Sequence, residues 1–134
     1  MTPYQSSLQD ALDTFESLRA LEEPLSQAAK VVLDCLTSGG KLLFCGNGGS
    51  AADAAHMATE FTCRFNGDRR PYPAIALTVD GGLLTAIGND YSFHDVFSRQ
   101  VHAYGKPGDV LIALTTSGKS RNVLFAIEEA RRRG

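Results

Sequence analysis

Residues 44–60 constrain the fold of this chain more than any other stretch. Lys41 to Cys45 is a short apolar run, the size of a buried strand. Gly46-Asn47-Gly48-Gly49 cannot continue a strand or a helix cheaply, because three of its four residues are glycine. Ser50 is a good helix-capping residue. The alanine-rich run that follows places Ala51, Ala54, Ala55, Ala58, Phe61 and Phe65 at helical spacing. The stretch therefore reads as strand 41–45, glycine loop, and helix 50–65. Such a junction offers unpaired N–H groups and the positive end of a helix dipole to an anion such as phosphate, although a plain tight turn explains the glycines equally well. One turn further on, His56 and Glu60 stand four residues apart on one helical face. Taken singly, each is a structural or solvated side chain; as a pair beside a glycine loop they suit metal binding or acid–base chemistry.

The remaining chain alternates helices and strands. Leu8, Leu12, Phe15 and Leu18 predict an amphipathic helix over residues 5–20. A second helix starts at Pro24, a favoured first position, carries Leu25, Ala28, Val32 and Leu36 as its buried stripe, and ends at Gly39-Gly40. These two helices either cover the sheet or form an oligomer interface. Strand two is expected at residues 73–78 after the polar turn Asn66 to Pro71, and strand three at Val110 to Leu114. Asp80 caps a short helical turn that ends at Gly88-Asn89-Asp90, and Phe93, Val96, Phe97 and Val101 mark a further helix. Val123, Leu124, Ile127 and Ala130 form the stripe of a last helix, whose Arg131-Arg132-Arg133 and Gly134 suit a C-terminus. This alternation predicts a parallel α/β sheet in the order two-one-three, with helices on both faces. Ligands of such sheets sit beyond the carboxyl ends of the strands, where both polar loops fall.

The second loop, Thr115-Thr116-Ser117-Gly118-Lys119-Ser120, offers four hydroxyls before a helix. Ser120 could be a simple cap, or the hydroxyls could bind phosphate. The loop imitates a P-loop at Gly118-Lys119-Ser120, but that pattern needs glycine where the chain has Ala113. The first loop is not a dinucleotide fingerprint, since Ala51 stands where the last glycine belongs. Asn89-Asp90 reads as a helix end or as a sugar-hydroxyl site, and His94 and His102 as structural.

With 134 residues the chain is one domain's worth, and its net charge of −2 argues against nucleic acid or an anionic membrane as partner. No apolar run is long enough to span a membrane, and Met1 to Asp10 lacks the basic and apolar regions of a signal peptide. Three cysteines without C-x-x-C spacing suit reduced thiols in the cytoplasm.

The sequence resembles the sugar isomerase (SIS) domain family, and within it the isomerases of seven-carbon sugar phosphates. The residues that carry this are Cys45-Gly46-Asn47-Gly48-Gly49-Ser50, Asp53, His56 and Glu60, Arg64-Phe65, Tyr72-Pro73-Ala74-Ile75-Ala76, Gly88-Asn89-Asp90, Phe97-Ser98-Arg99, Gly108-Asp109-Val110-Leu111, and Thr116-Ser117-Gly118-Lys119-Ser120-Arg121-Asn122-Val123. The resemblance implies a flavodoxin-like three-layer αβα sandwich behind N-terminal helices (residues 1–40, then a core over 41–134), forming a homotetramer. It implies conversion of sedoheptulose 7-phosphate to D-glycero-D-manno-heptose 7-phosphate, the entry to ADP-heptose for lipopolysaccharide core. It implies that Asn47, Gly48, Gly49, Ser50, Glu60, Asn89, Asp90, Thr115, Thr116, Ser117 and Ser120 contact the sugar phosphate. His56 and Glu60 would bind one zinc per subunit, and Glu60 would also move the proton at the carboxyl edge of the sheet. Family members continue past the point where this chain stops, adding two strands, a helix and, with them, the expected remaining zinc ligands. Ending at Gly134 would leave Val110 to Leu114 as an apolar sheet edge prone to aggregation unless covered. A non-catalytic relative, resembling replication-initiator-associating regulators, is the alternative; those generally lack a carboxylate at position 60.

Overall fold

The computed structural model describes all residues, 1–134. They divide into two compact units, Met1–Leu33 and Asp34–Gly134.

The first unit is helical. Helix α1 (Pro3–Ser17) opens with a capping box: Gln5 N–H donates to Thr2 Oγ1 and Thr2 N–H donates to Gln5 Oε1. A 3₁₀ turn, Leu18–Leu21, runs directly into helix α2 (Glu22–Thr37). Because that turn feeds α2 without a break, Pro24 is its third residue rather than its first. The first turn tolerates it there, since its missing N–H would have had no helical partner. The stripe expected on α2 is only partly buried. Val32 and Leu36 are half-buried, Leu25 is 61% exposed, and the fully buried residue is Cys35. Leu8, Leu12 and Phe15 of α1 are exposed too. An amphipathic face stays wet until something packs on it.

The second unit is built on a three-stranded parallel sheet in the order β2-β1-β3, as the alternation predicts. Strand β1 (Leu42–Gly46) pairs with β2 (Ala74–Ala76) and with β3 (Val110–Leu114). Strand β2 is shorter than the expected 73–78. The chain turns away after Ala76, where Leu77 N–H makes a last bond to Phe44 O at 2.8 Å and Thr78 Oγ1 donates to Ala51 O at 3.2 Å. The strand period of two sorts the core. Leu42 and Phe44 share the face of Ala74 and Ala76 and meet helix α3 (Gly49–Thr62), with the Phe44 and Phe61 rings 6.0 Å apart. Leu43 and Cys45 face the other way, into a cluster with Leu77, Ile87, Val96, Phe97, Val101, Val123 and Ala126. That cluster is covered by α4 (Gly81–Asp90), α5 (Ser98–Tyr104) and α6 (Arg121–Arg133). The result is three layers, with β3 half-buried along its whole length at one edge.

Two helices differ from expectation. Helix α4 does end at Asp90, but it includes Gly88 and Asn89 and is a full helix rather than a short turn, because one glycine costs a helix only about 1 kcal/mol and Ile87 is buried. On α6 the buried face is Asn122, Val123, Ala126 and Glu129, and Leu124 is exposed.

Asp109 fastens the amino edge of the sheet. Its carboxylate accepts from Lys41 N–H at 2.9 Å, from Lys106 N–H at 2.8 Å and from the Lys41 ammonium. Burial alone would raise its pKa, but these hydrogen bonds outweigh burial and hold it below the usual carboxylate range.

Candidate functional site

Strands β1 and β3 end side by side, so the loops that leave them meet at the carboxyl edge. Gly46 is where they come closest. A Cβ there would lie 2.8 Å from Ser50 O and 2.9 Å from Leu114 O, so only glycine fits. The tie between the loops is a pair of amides. Asn47 Nδ2 donates to Asn122 Oδ1 and Asn122 Nδ2 donates to Asn47 Oδ1, both at 2.8 Å. Asn122 is buried, and its Oδ1 also accepts from Val123 N–H at 2.9 Å. One side chain thus fixes the glycine loop to the first turn of α6.

Ser50 does not cap α3. Gly48, at φ 56°, occupies the cap position two residues earlier, and its carbonyl takes the Ala51 and Ala52 N–H groups. Gly48 has no side chain, so the first N–H groups of α3 face no capping oxygen, which is the arrangement that suits an anion. Ser120 begins α6 and makes no side-chain cap bond either, which removes simple capping as the reason for its hydroxyl. Between them the second loop is held by its own side chains. Thr115 Oγ1 accepts from Gly118 N–H at 3.2 Å, and Ser117 Oγ accepts from Lys119 N–H at 3.1 Å. Both hydroxyls use a lone pair to fold the loop and keep their hydrogens to donate. Thr116 is exposed on the same loop. Asn47, Gly48, Gly49 and Ser50 are thus brought to the edge that also carries Thr115, Thr116, Ser117 and Ser120.

Other expected site residues are not gathered there. Asn89 and Asp90 end α4, exposed, with Asn89 Nδ2 donating to Asp90 Oδ1 at 2.9 Å and no hydrogen bond to either loop. His56 and Glu60 do form a pair, His56 Nε2 to Glu60 Oε1 at 2.9 Å. Their position differs from the expected one. Helix α3 leaves the carboxyl edge and runs back along the strands, so Glu60 lies about 16 Å along the axis from Gly49. Its neighbours are at the amino edge: Thr62 Oγ1 donates to Ala74 O, in the first residue of β2, at 3.2 Å. His56 is well exposed and Glu60 partly so. No group of three or more His, Cys, Asp or Glu side chains stands together, so His56 and Glu60 stand as a pair that could offer a metal two donors.

Sequence reasoning missed Asn122 as the organiser of the two loops, although a buried amide in the first turn of a helix was a signal available in the pattern. It also missed Arg69, which donates to the Glu60 and Phe61 carbonyls and lines a cavity of about 270 Å³ with Glu60, Phe61, Phe65 and Tyr72. Of the three free cysteines, Cys45 is pushed up to about 12 by burial and Cys35 is raised for the same reason, while Cys63 is exposed.

The three-layer α/β unit thus brings a glycine loop and a hydroxyl-rich loop together at the carboxyl edge, each running into a helix N-terminus, an arrangement that suits an anion. A family model described as SIS domain matches residues 3–134, and the chain belongs to that family. It is 55% identical over 126 residues to the phosphoheptose isomerase of Rhodospirillum rubrum, covering 94% of this chain and 67% of that protein. It is 54% identical over 118 residues to the phosphoheptose isomerase of Neisseria meningitidis serogroup C, covering 88% of this chain and 60% of that one. Among solved structures it is similar to a phosphoheptose isomerase from Francisella tularensis, with a TM-score of 0.92, 42% identity, 97% of this chain and 69% of that chain. It is likewise similar to the phosphoheptose isomerase from Neisseria gonorrhoeae, with a TM-score of 0.80, 48% identity, 95% of this chain and 70% of that one. The chain thus spans about two thirds of the length of these relatives.

Proposed function

We propose that the protein is an aldose–ketose isomerase converting sedoheptulose 7-phosphate to D-glycero-D-manno-heptose 7-phosphate, the entry to ADP-heptose and lipopolysaccharide core. The observation that carries this is the Asn47–Asn122 tie, which holds two N–H- and hydroxyl-rich loops at one sheet edge. It occurs in a chain whose relatives are named phosphoheptose isomerase across most of its length. In this reading Asn47, Gly48, Gly49, Ser50, Thr115, Thr116, Ser117 and Ser120 hold the phosphate and the nearer hydroxyls, and Asn89 and Asp90 hold hydroxyls further along the sugar. Because Glu60 lies so far along α3 from the glycine loop of its own chain, it acts on the substrate held by a neighbouring copy in the homo-oligomer, taking a proton from the carbon next to the carbonyl and returning it to the former carbonyl carbon through an enediol. Zinc bound by His56 and Glu60, with further ligands from outside this pair, would stabilise negative charge on the sugar oxygens.

We read residues 1–134 as one SIS domain, in line with the span of the family match. The exposed apolar residues Leu8, Leu12, Phe15 and Leu25 favour a homo-oligomer, a tetramer by family resemblance. Free cysteines favour the cytoplasm, and no helix is long and apolar enough to cross a membrane. The test is incubation of the complete gene product with sedoheptulose 7-phosphate, followed by NMR of the sugar. Appearance of the aldose phosphate supports the reading. Binding without conversion replaces it with the regulator reading, which the carboxylate at position 60 disfavours.

A further inference from the structure

We infer that Arg69 is a positioning residue that sets the place of Glu60, an inference that rests on the reading of Glu60 as the proton-moving carboxylate. The last turn of α3 needs outside help. Arg64, the residue after its C-cap Cys63, lacks the positive φ that commonly closes a helix, and the last turn has no basic side chain of its own to meet its unpaired carbonyls. Arg69 reaches back from the following loop and supplies the donors. Its Nη2 donates to Glu60 O, and its Nη1 donates to Phe61 O at 2.9 Å and to Arg70 O at 3.0 Å. Tyr72 N–H adds a second bond to Phe61 O at 3.0 Å.

The guanidinium is itself held in place. Its carbon lies 4.9 Å from the centre of the Tyr72 ring, and Arg69 is half-buried. A planar fork of donors holds two successive carbonyls in one fixed geometry, which an ammonium on a flexible stem does not impose. Arg69 therefore fixes the backbone of the residue whose side chain is to reach the substrate carbon. It does so without pairing with the carboxylate: the one ion-pair partner of Glu60 is His56. The same guanidinium lines the cavity that Glu60 borders, together with Phe61, Phe65 and Tyr72. An arginine aimed at the carboxylate would neutralise it; this one spends its donors on backbone oxygens.

The experiment measures kcat and KM for sedoheptulose 7-phosphate in the complete gene product carrying Arg69→Ala, Arg69→Lys or Glu60→Gln. Misplacing a reacting group by about 1 Å costs up to roughly 100-fold in rate. Arg69→Ala is therefore expected to lower kcat by about 10- to 100-fold while KM stays near wild type, because Arg69 spends its donors on backbone carbonyls and makes no bond to the phosphate loops. Free guanidinium ion should restore part of the lost kcat. Arg69→Lys, which keeps the charge but not the planar fork, should lose rate as well, and it carries the test if the alanine variant does not fold. Wild-type kcat in either folded variant overturns the inference. So does a loss that appears in KM alone, or one that guanidinium leaves unchanged. Glu60→Gln separates the two failures. If it is inactive while the Arg69 variants are fully active, only the positioning role falls; if it turns over normally, the reading of Glu60 falls and the inference with it.

Discussion

Removing the Asn47–Asn122 tie should loosen both ligand loops at once, and the cost can be worked from the structure. Asn122→Ala deletes two bonds of 2.8 Å to Asn47 and the 2.9 Å bond from Val123 N–H. A hydrogen bond contributes about 1 kcal/mol net, and leaving a buried partner unsatisfied costs about 1–3 kcal/mol. Asn122 is almost wholly buried, so water reaches the orphaned groups poorly. The expected loss is about 2–4 kcal/mol in the free energy of urea unfolding, a large share of the roughly 5–15 kcal/mol a domain has. A double-mutant cycle isolates the pair. Asn47→Ala alone should cost less than Asn122→Ala, because the Val123 bond survives it. The double variant should be only slightly worse than Asn122→Ala, giving a coupling of about 1–2 kcal/mol, within the range of directly bonded residues. Costs that simply add, with a coupling under about 0.3 kcal/mol, would refute the tie.

Three further outcomes are expected. Ser117→Ala and Ser120→Ala should each raise KM for the sugar phosphate about 10- to 100-fold, the equivalent of a charged hydrogen bond worth about 1.5–3 kcal/mol; unchanged values in both would remove the phosphate assignment. Asp109 titrates below its unfolded value, so its stabilisation is complete above the ordinary carboxylate range and is lost as pH falls through its depressed folded pKa; Asp109→Asn should flatten that acid limb in a pH series of unfolding curves. Native protein at pH 8 should react with a thiol reagent at Cys63 alone, because Cys35 and Cys45 are buried and stay protonated, while denatured protein should react at all three cysteines.

Much of the fold was legible because its strands are unbroken apolar runs. Leu42 to Cys45 and Val110 to Leu114 call for cover, which β1 finds in full and β3 by half, and helical stretches between them favour a parallel sheet. What local sequence could not settle was where each helix starts and where it travels. Ser50 is a good cap by type, but Gly48 takes the cap position because its positive φ turns the chain two residues sooner. Gly88 looked like a stop, yet the burial of Ile87 carries α4 past it. The His56–Glu60 spacing gave one helical face, and on it the structure adds a direct contact of 2.9 Å. Its place along the sheet was misjudged because a helix leaving the carboxyl edge must return toward the amino edge. Arg69 was illegible for a different reason: its partners are backbone carbonyls, which no side-chain pattern reveals.

The central claim is that Glu60 moves the proton, and Glu60→Gln tests it most directly because it keeps the shape of the side chain and removes its charge. With the complete gene product and sedoheptulose 7-phosphate, kcat should fall by about 100-fold or more, the contribution expected of a positioned general base, while KM changes little. A Glu60→Gln protein that turns over at close to the wild-type rate would contradict the account and return the chain to the sugar-phosphate-binding regulators of its family.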